Sequence, residues 1–65
     1  MKVTYDAVTD SLVISLRDES IHESDEIRPG VIADFGDDGG IVRFEILRAS
    51  QFVSDTGAVE FAAIY

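Results

Sequence analysis

Apolar and polar residues alternate in two segments near the start of the chain. Val3 and Tyr5 alternate with polar neighbours, and Leu12 and Ile14 belong to a second alternating series. A period of two is typical of β-strands with one buried face. Residues 6–11, between the two series, are rich in the turn formers Asp, Thr and Ser. The pattern predicts two antiparallel strands with Tyr5 opposite Leu12 and Val3 opposite Ile14, because that register gathers the apolar side chains on one face.

Two further strands are predicted at residues 31–35 and 41–47. The residues between them, 36–40, include three glycines, which accept the positive φ angles that tight hairpin loops require. We therefore predict a second hairpin, with Phe35 opposite Ile41.

The same register predicts a carboxylate on a largely apolar face. Asp34 is expected to lie beside Val42 and Phe44, where burial would raise its pKa unless it is paired. The opposite face of this hairpin is also partly apolar, so it needs a cover. A short helix at about residues 49–53 is predicted to cover part of it, and a second copy of the chain the rest.

Charge and turn residues separate the remaining segments. Residues 18–26 hold five of the thirteen acidic residues, which favours a loop or an exposed edge strand. Arg28-Pro29-Gly30 marks a break, because proline cannot donate a ladder hydrogen bond. After a turn at residues 55–57, alternation returns over residues 58–65 and predicts a last strand.

These segments predict one α+β domain over residues 1–65 that is mostly β. We expect a small antiparallel, meander-like sheet of four to five strands with one short helix after the fourth strand. A chain of 65 residues buries only a marginal core, and without cysteine it has no disulfide to compensate. We therefore expect a homo-oligomer, specifically a homodimer. The sequence has neither a long apolar run nor a signal-peptide pattern, so a cytoplasmic location is expected.

The net charge of −8 points to the chemistry of a partner. Direct nucleic-acid binding is not expected, because phosphate contacts need clustered Lys or Arg. A small basic protein fits the charge better, since charge complementarity speeds and selects encounters. The candidate partner-binding residues are the five acids of residues 18–26: Asp18, Glu19, Glu23, Asp25 and Glu26.

Short motifs occur along the chain in a family-like order: Tyr5-Asp6, Asp10-Ser11-Leu12, Gly30-Val31-Ile32, Asp37-Asp38-Gly39, Glu45-Ile46-Leu47 and Ala49-Ser50. Together they resemble the small bacterial family called domain of unknown function 2283. The resemblance covers residues 1 to about 50, and residues 54–65 lie outside it. It implies a compact β-rich domain without an established activity. Some members lie beside a small toxin-like protein, which implies an antitoxin-like role.

Three functional hypotheses follow. The first is a homo-oligomeric protein-interaction module, antitoxin-like in the sense that the resemblance implies. The second is a small enzyme with a carboxylate site at a subunit interface, formed by Asp34 with Asp10 or Glu45. The third is a divalent-cation binder at His22 and its acidic neighbours, although a single histidine is a poor basis for a metal site. No cofactor is predicted.

Overall fold

A computed structural model describes all of residues 1–65. The chain forms one antiparallel sheet of five strands: β1 (Lys2–Asp6), β2 (Ser11–Ser15), β3 (Glu23–Arg28), β4 (Val31–Phe35) and β5 (Ile41–Leu47). The strand order is β1-β2-β5-β4-β3. Only β3, β4 and β5 follow one another as a meander, so the predicted meander-like order is wrong where β5 pairs with β2. None of the protein's segments is a helix with the length and apolarity to cross a membrane.

The first hairpin has the predicted register. Tyr5 pairs with Leu12 and Val3 pairs with Ile14. On the other side of β2, Leu12 pairs with Ile46, and Ile14 pairs with Phe44. Since directly opposite residues point to the same side of a sheet, these pairs extend one apolar surface from β1 to β5.

The second hairpin differs from the prediction by one bulge. Phe35 pairs with Ile41 as predicted, but the register shifts at the next position, and Asp34 pairs with Arg43. An extra residue in one strand reverses the facing of every residue beyond it. The expectation that Asp34 lies beside Val42 and Phe44 is therefore wrong.

The acidic segment ends in an edge strand, one of its two predicted forms. All six residues of β3 are exposed. The strand stops before Pro29, and Gly30 turns the chain into β4 with φ at +79°. That angle is one that glycine adopts without strain, which explains the Pro-Gly pair at this turn.

The bulge divides the sheet into two chemically different surfaces. The apolar face consists of Val3, Tyr5, Leu12, Ile14, Val31, Ala33, Phe35, Val42, Phe44 and Ile46. Among these, only Leu12, Ala33 and Val42 are buried. The opposite side, the polar face, carries most of the hydroxyl and charged side chains of the central strands. Since a domain normally buries its apolar surface between two layers, this single sheet leaves its apolar face incompletely covered.

The predicted helix and last strand are both absent. A 3₁₀ turn at Ala49–Gln51 follows the fifth strand, not the fourth, and the fold contains no α-helix. The chain enters this turn through Arg48, whose φ of 51° is left-handed. Residues 58–65 have no regular structure and are exposed throughout. Alternation makes such a segment amphipathic, but a strand also requires a neighbour to pair with.

Candidate functional site

A row of polar side chains crosses the polar face through all five strands. By register, the row is Lys2, Ser15, Arg43, Asp34 and Ser24, in the order β1-β2-β5-β4-β3. Each side chain has its row neighbours directly opposite, a spacing at which side chains interact. We refer to these five residues as the polar row.

Asp34 is the buried member of the polar row. Its side chain is 1% exposed and accepts a hydrogen bond from Arg43 Nε at 2.7 Å. The hydroxyl of Ser24 donates a second bond at 2.6 Å. Burial alone would raise the pKa of Asp34, but these hydrogen bonds outweigh it and hold the pKa below its usual value. Asp34 is therefore an ionised, fully paired carboxylate.

Glu45 lies beside this pair on the same face. Its Oε2 atom is 3.8 Å from Arg43 Nη2. Hydrogen bonding to Asp34, followed by burial, raises the pKa of Glu45 above its usual value. The structure thus brings together Asp34 and Glu45, two of the three candidate catalytic residues. Because Asp34 has the stronger partners, it is the first of the two carboxylates to ionise as pH rises.

The surface around these carboxylates contains no pocket. The larger hollow, of about 460 Å³, lies at the β1 end of the polar row. Its lining includes Lys2, Ser15 and Arg43 of the row, together with Asp18 and Glu19. Neither this hollow nor the second, smaller one is lined by Asp34 or Glu45. The contacts of Asp34 are those of a structural ion pair that links β3, β4 and β5.

Asp10, the third candidate catalytic residue, belongs to a separate cluster. Its carboxylate accepts bonds from the Tyr5 hydroxyl at 2.7 Å and the Ser50 hydroxyl at 2.6 Å. The Ser50 amide donates another at 3.0 Å, and the Ala49 amide bonds to the Asp10 carbonyl at 2.9 Å. The bonds from Ser50 and Tyr5 lower the pKa of Asp10. Asp10 therefore fixes the 3₁₀ turn against the first hairpin. This turn follows the end of β5, whereas Asp34 pairs with Arg43 near its start.

Tyr5 responds to the same cluster. Its hydrogen bond to Asp10 is the largest cause of a raised pKa, because the neutral phenol is the form that donates. The side chain of Thr56 opposes part of this rise, so Thr56 lies close to the Tyr5 hydroxyl.

The predicted partner-binding acids lie along one margin of the molecule. Glu23, Asp25 and Glu26 are on the edge strand β3, and Asp18 and Glu19 are in the loop that leads to it. The pairing places Glu23 and Asp25 on the side of the apolar face and Glu26 on the polar side. All five are exposed. We call this group the acidic edge.

His22 lies next to the acidic edge, immediately before β3. Its Nδ1 atom is 3.3 Å from an Asp37 carboxylate oxygen, and both side chains are exposed. A hollow of about 300 Å³ is lined by His22, Glu23, Asp25 and Asp37. No three His, Asp or Glu side chains converge there, or elsewhere, in a way that could hold a metal ion.

The ion pair between Arg17 and Asp38 is not predicted from the sequence. Arg17 donates to both oxygens of Asp38, from Nη1 at 2.8 Å and from Nη2 at 2.6 Å. This bidentate pair, with a further bond from the Gly40 amide, holds the pKa of Asp38 well below its usual range. The pair joins the β2–β3 loop to the β4–β5 hairpin loop. No local sequence signal indicates it, because its partners are 21 residues apart.

Comparison with known protein families finds a match that ends at Ser50. A family model described as "Protein of unknown function (DUF2283)" matches residues 2–50, about three quarters of the 65 residues. The chain belongs to the DUF2283 family. The DUF2283 region contains all five strands and ends at the residue that anchors the 3₁₀ turn to Asp10. Residues 51–65 lie outside it, so the family resemblance predicted from the sequence is confirmed in identity and extent. No curated protein and no solved structure matches the chain.

Proposed function

We propose that this DUF2283 protein is a homo-oligomeric protein-interaction module of the cytoplasm. Two copies pack through their apolar faces, and the acidic edge of the resulting dimer binds a small basic protein. The observation that carries this proposal is the open apolar face on a single-layered sheet whose margin is acidic.

The apolar face supports the self-association. Phe44, Ile14 and Ile46 lie at its centre on β2 and β5, yet all three remain partly exposed. Two sheets that pack face to face interdigitate such side chains in a core about 10 Å thick. A second copy supplies a surface of the same shape and chemistry, which a two-fold dimer requires. Since thirteen acids repel between copies, the dimer is expected to strengthen as salt is added.

The acidic edge supports the second interaction. β3 is an edge strand, so the backbone on its outer side has no partner strand in the sheet. Its acids discourage pairing with another acidic edge and favour a basic strand or loop. The antitoxin-like role that the family resemblance implies is the specific form of this proposal, with a basic toxin as the partner.

The test compares two variants of raised charge with the wild-type protein in affinity capture from the host's lysate. The triple variant E23K/D25K/E26K alters the acidic edge. A matched variant, V8K/T9K/Q51K/S54K/D55K, changes the net charge equally at exposed positions and leaves β3 and its surroundings intact. We expect one small basic protein to be captured in stoichiometric amount by the wild type and the matched variant, and to be lost with the acidic-edge variant.

The captured protein is then purified and its association rate is measured against salt concentration. The proposal expects a rate that falls steeply with salt for the wild type and only slightly for the acidic-edge variant. Equal rates for the two would contradict a role for the acidic edge. For the antitoxin-like form, the basic protein must arrest growth when expressed alone, and co-expression of this chain must restore it.

A further inference from the structure

The C-terminal segment has the pattern of a strand but has no strand beside it. Over residues 58–65, Val59, Phe61, Ala63 and Tyr65 share one side of an extended chain, and Glu60 and Ile64 fall on the other. Phe61 is 73% exposed and Ile64 is 97% exposed. Apolar side chains clustered at such exposures mark a contact surface.

We propose that residues 58–65 of one copy pair with β1 of a second copy, adding a sixth strand to the partner's sheet. This strand exchange rests on the proposed homodimer and states how its two chains are connected. The apolar side of the segment then continues the partner's apolar face.

The two edge strands of the sheet, β1 and β3, differ in how well they can pair with this segment. β3 carries Glu23, Asp25 and Glu26, which would repel the acid of the segment, Glu60. β1 carries one acid and one base, and its Val3 and Tyr5 lie on the apolar face. If the apolar side of the segment joins Val3 and Tyr5, then Glu60 falls on the polar side with Lys2, which has the opposite charge. Both patterning and charge therefore select β1.

The area of the interface favours a second copy over the segment's own sheet. The five strands, at about 4.8 Å spacing and 3.3 Å per residue, present a face of roughly 400 Å². A stable interface needs about 800 Å² from each partner. The exchanged segment adds the surface of eight residues to the contact between the two copies, whereas a segment folded onto its own β1 would add none to that contact.

The test uses the full chain and two single variants. Phe61→Ser removes an aromatic side chain from the apolar side of the segment, and Ile64→Ser makes a comparable change on the other side. Sedimentation equilibrium gives the dimer dissociation constant of each. Since a dimer contains two exchanged segments, we expect Phe61→Ser to weaken dimerisation by about 100-fold or more, and Ile64→Ser to change it by less than about 5-fold.

Amide hydrogen exchange identifies which sheet the segment joins. We expect residues 58–65 of the wild type to become protected only at concentrations above the dissociation constant. Protection at all concentrations would place the segment on its own sheet, and a dimer without protection would leave it unpaired. Either result overturns the exchange but keeps the dimer, whereas a wild type that is monomeric at every concentration overturns both.

Discussion

Replacement of Asp34 by alanine tests the assignment of the buried carboxylate as a structural ion pair. The change removes two short hydrogen bonds, one from Ser24 at 2.6 Å and one from Arg43 at 2.7 Å. A hydrogen bond to a charged group contributes about 1.5–3 kcal/mol. The Arg43 side chain is 38% exposed and can regain water, so the two contributions do not add in full. We expect a loss of about 3 kcal/mol in the free energy of unfolding.

A loss of this size is large for so small a protein. A chain of 65 residues has an unfolding free energy of roughly 3–10 kcal/mol. Thermal denaturation followed by circular dichroism should show a melting temperature lower by about 12–24 °C, at a fixed protein concentration. Asp34→Asn keeps the shape, and its amide can donate to the Ser24 hydroxyl, so it should lose only about 1–2 kcal/mol. Asp37→Ala, an exposed acid three residues away, is the control.

The pH dependence of stability provides an independent check on the same pair. Because the pKa of Asp34 is lowered in the folded state, its contribution is present above about pH 4 and is lost as pH falls through the lowered value. The difference in stability between the wild type and Asp34→Asn should therefore shrink in acid. A melting temperature of Asp34→Ala within about 2 °C of the wild type at pH 7, or a difference that grows in acid, would refute the assignment.

Three further predictions concern the surroundings of these sites. Glu45→Gln should stabilise the protein by about 0.5 kcal/mol at pH 7, because the wild type loses stability as pH rises through the raised pKa of Glu45. This gain should vanish below about pH 4, where Glu45 is protonated, and urea unfolding at both pH values checks it. Gly30→Ala and Gly39→Ala should each lower the free energy of unfolding by about 1 kcal/mol in chemical denaturation, since both glycines have φ at +79°. The atom nearest an added methyl at Gly30 is Nη2 of the movable Arg48 side chain, so a much larger loss at Gly30 would show that Arg48 is fixed. Asp10→Ala should release the 3₁₀ turn, seen as faster amide exchange at Ser50 with exchange in β4 unchanged; equal protection at Ser50 would contradict its anchoring by Asp10.

Local patterns in the sequence predict the hairpins but not their connection. Alternation around Tyr5 and Leu12 identifies the first register, and glycines after Phe35 identify the second loop. The pairing of β2 with β5 depends on contacts between Leu12 and Ile46, which are distant along the chain. Such pairings leave no local signal, so a meander is the simplest prediction from neighbouring strands.

In the candidate site, too, the local pattern fails to predict a feature, the face on which Asp34 lies. A single bulge beside Phe35 moves Asp34 from the apolar to the polar face, and hydrophobic patterning does not indicate where an extra residue will enter. The opposite charges of Asp34 and Arg43 are the signal that could have indicated the true register. The anchoring of Ser50 by Asp10 had a weaker signal, since the short polar residues at both positions are common at turns and helix starts.

The central claim, that the open apolar face is covered by a second copy of the chain, is tested most directly by sedimentation velocity of the wild-type protein from micromolar to millimolar concentration. We predict a transition to a species with twice the 7.1 kDa mass of one chain, at lower concentration when salt is added. A single species of 7.1 kDa throughout this range would contradict the claim.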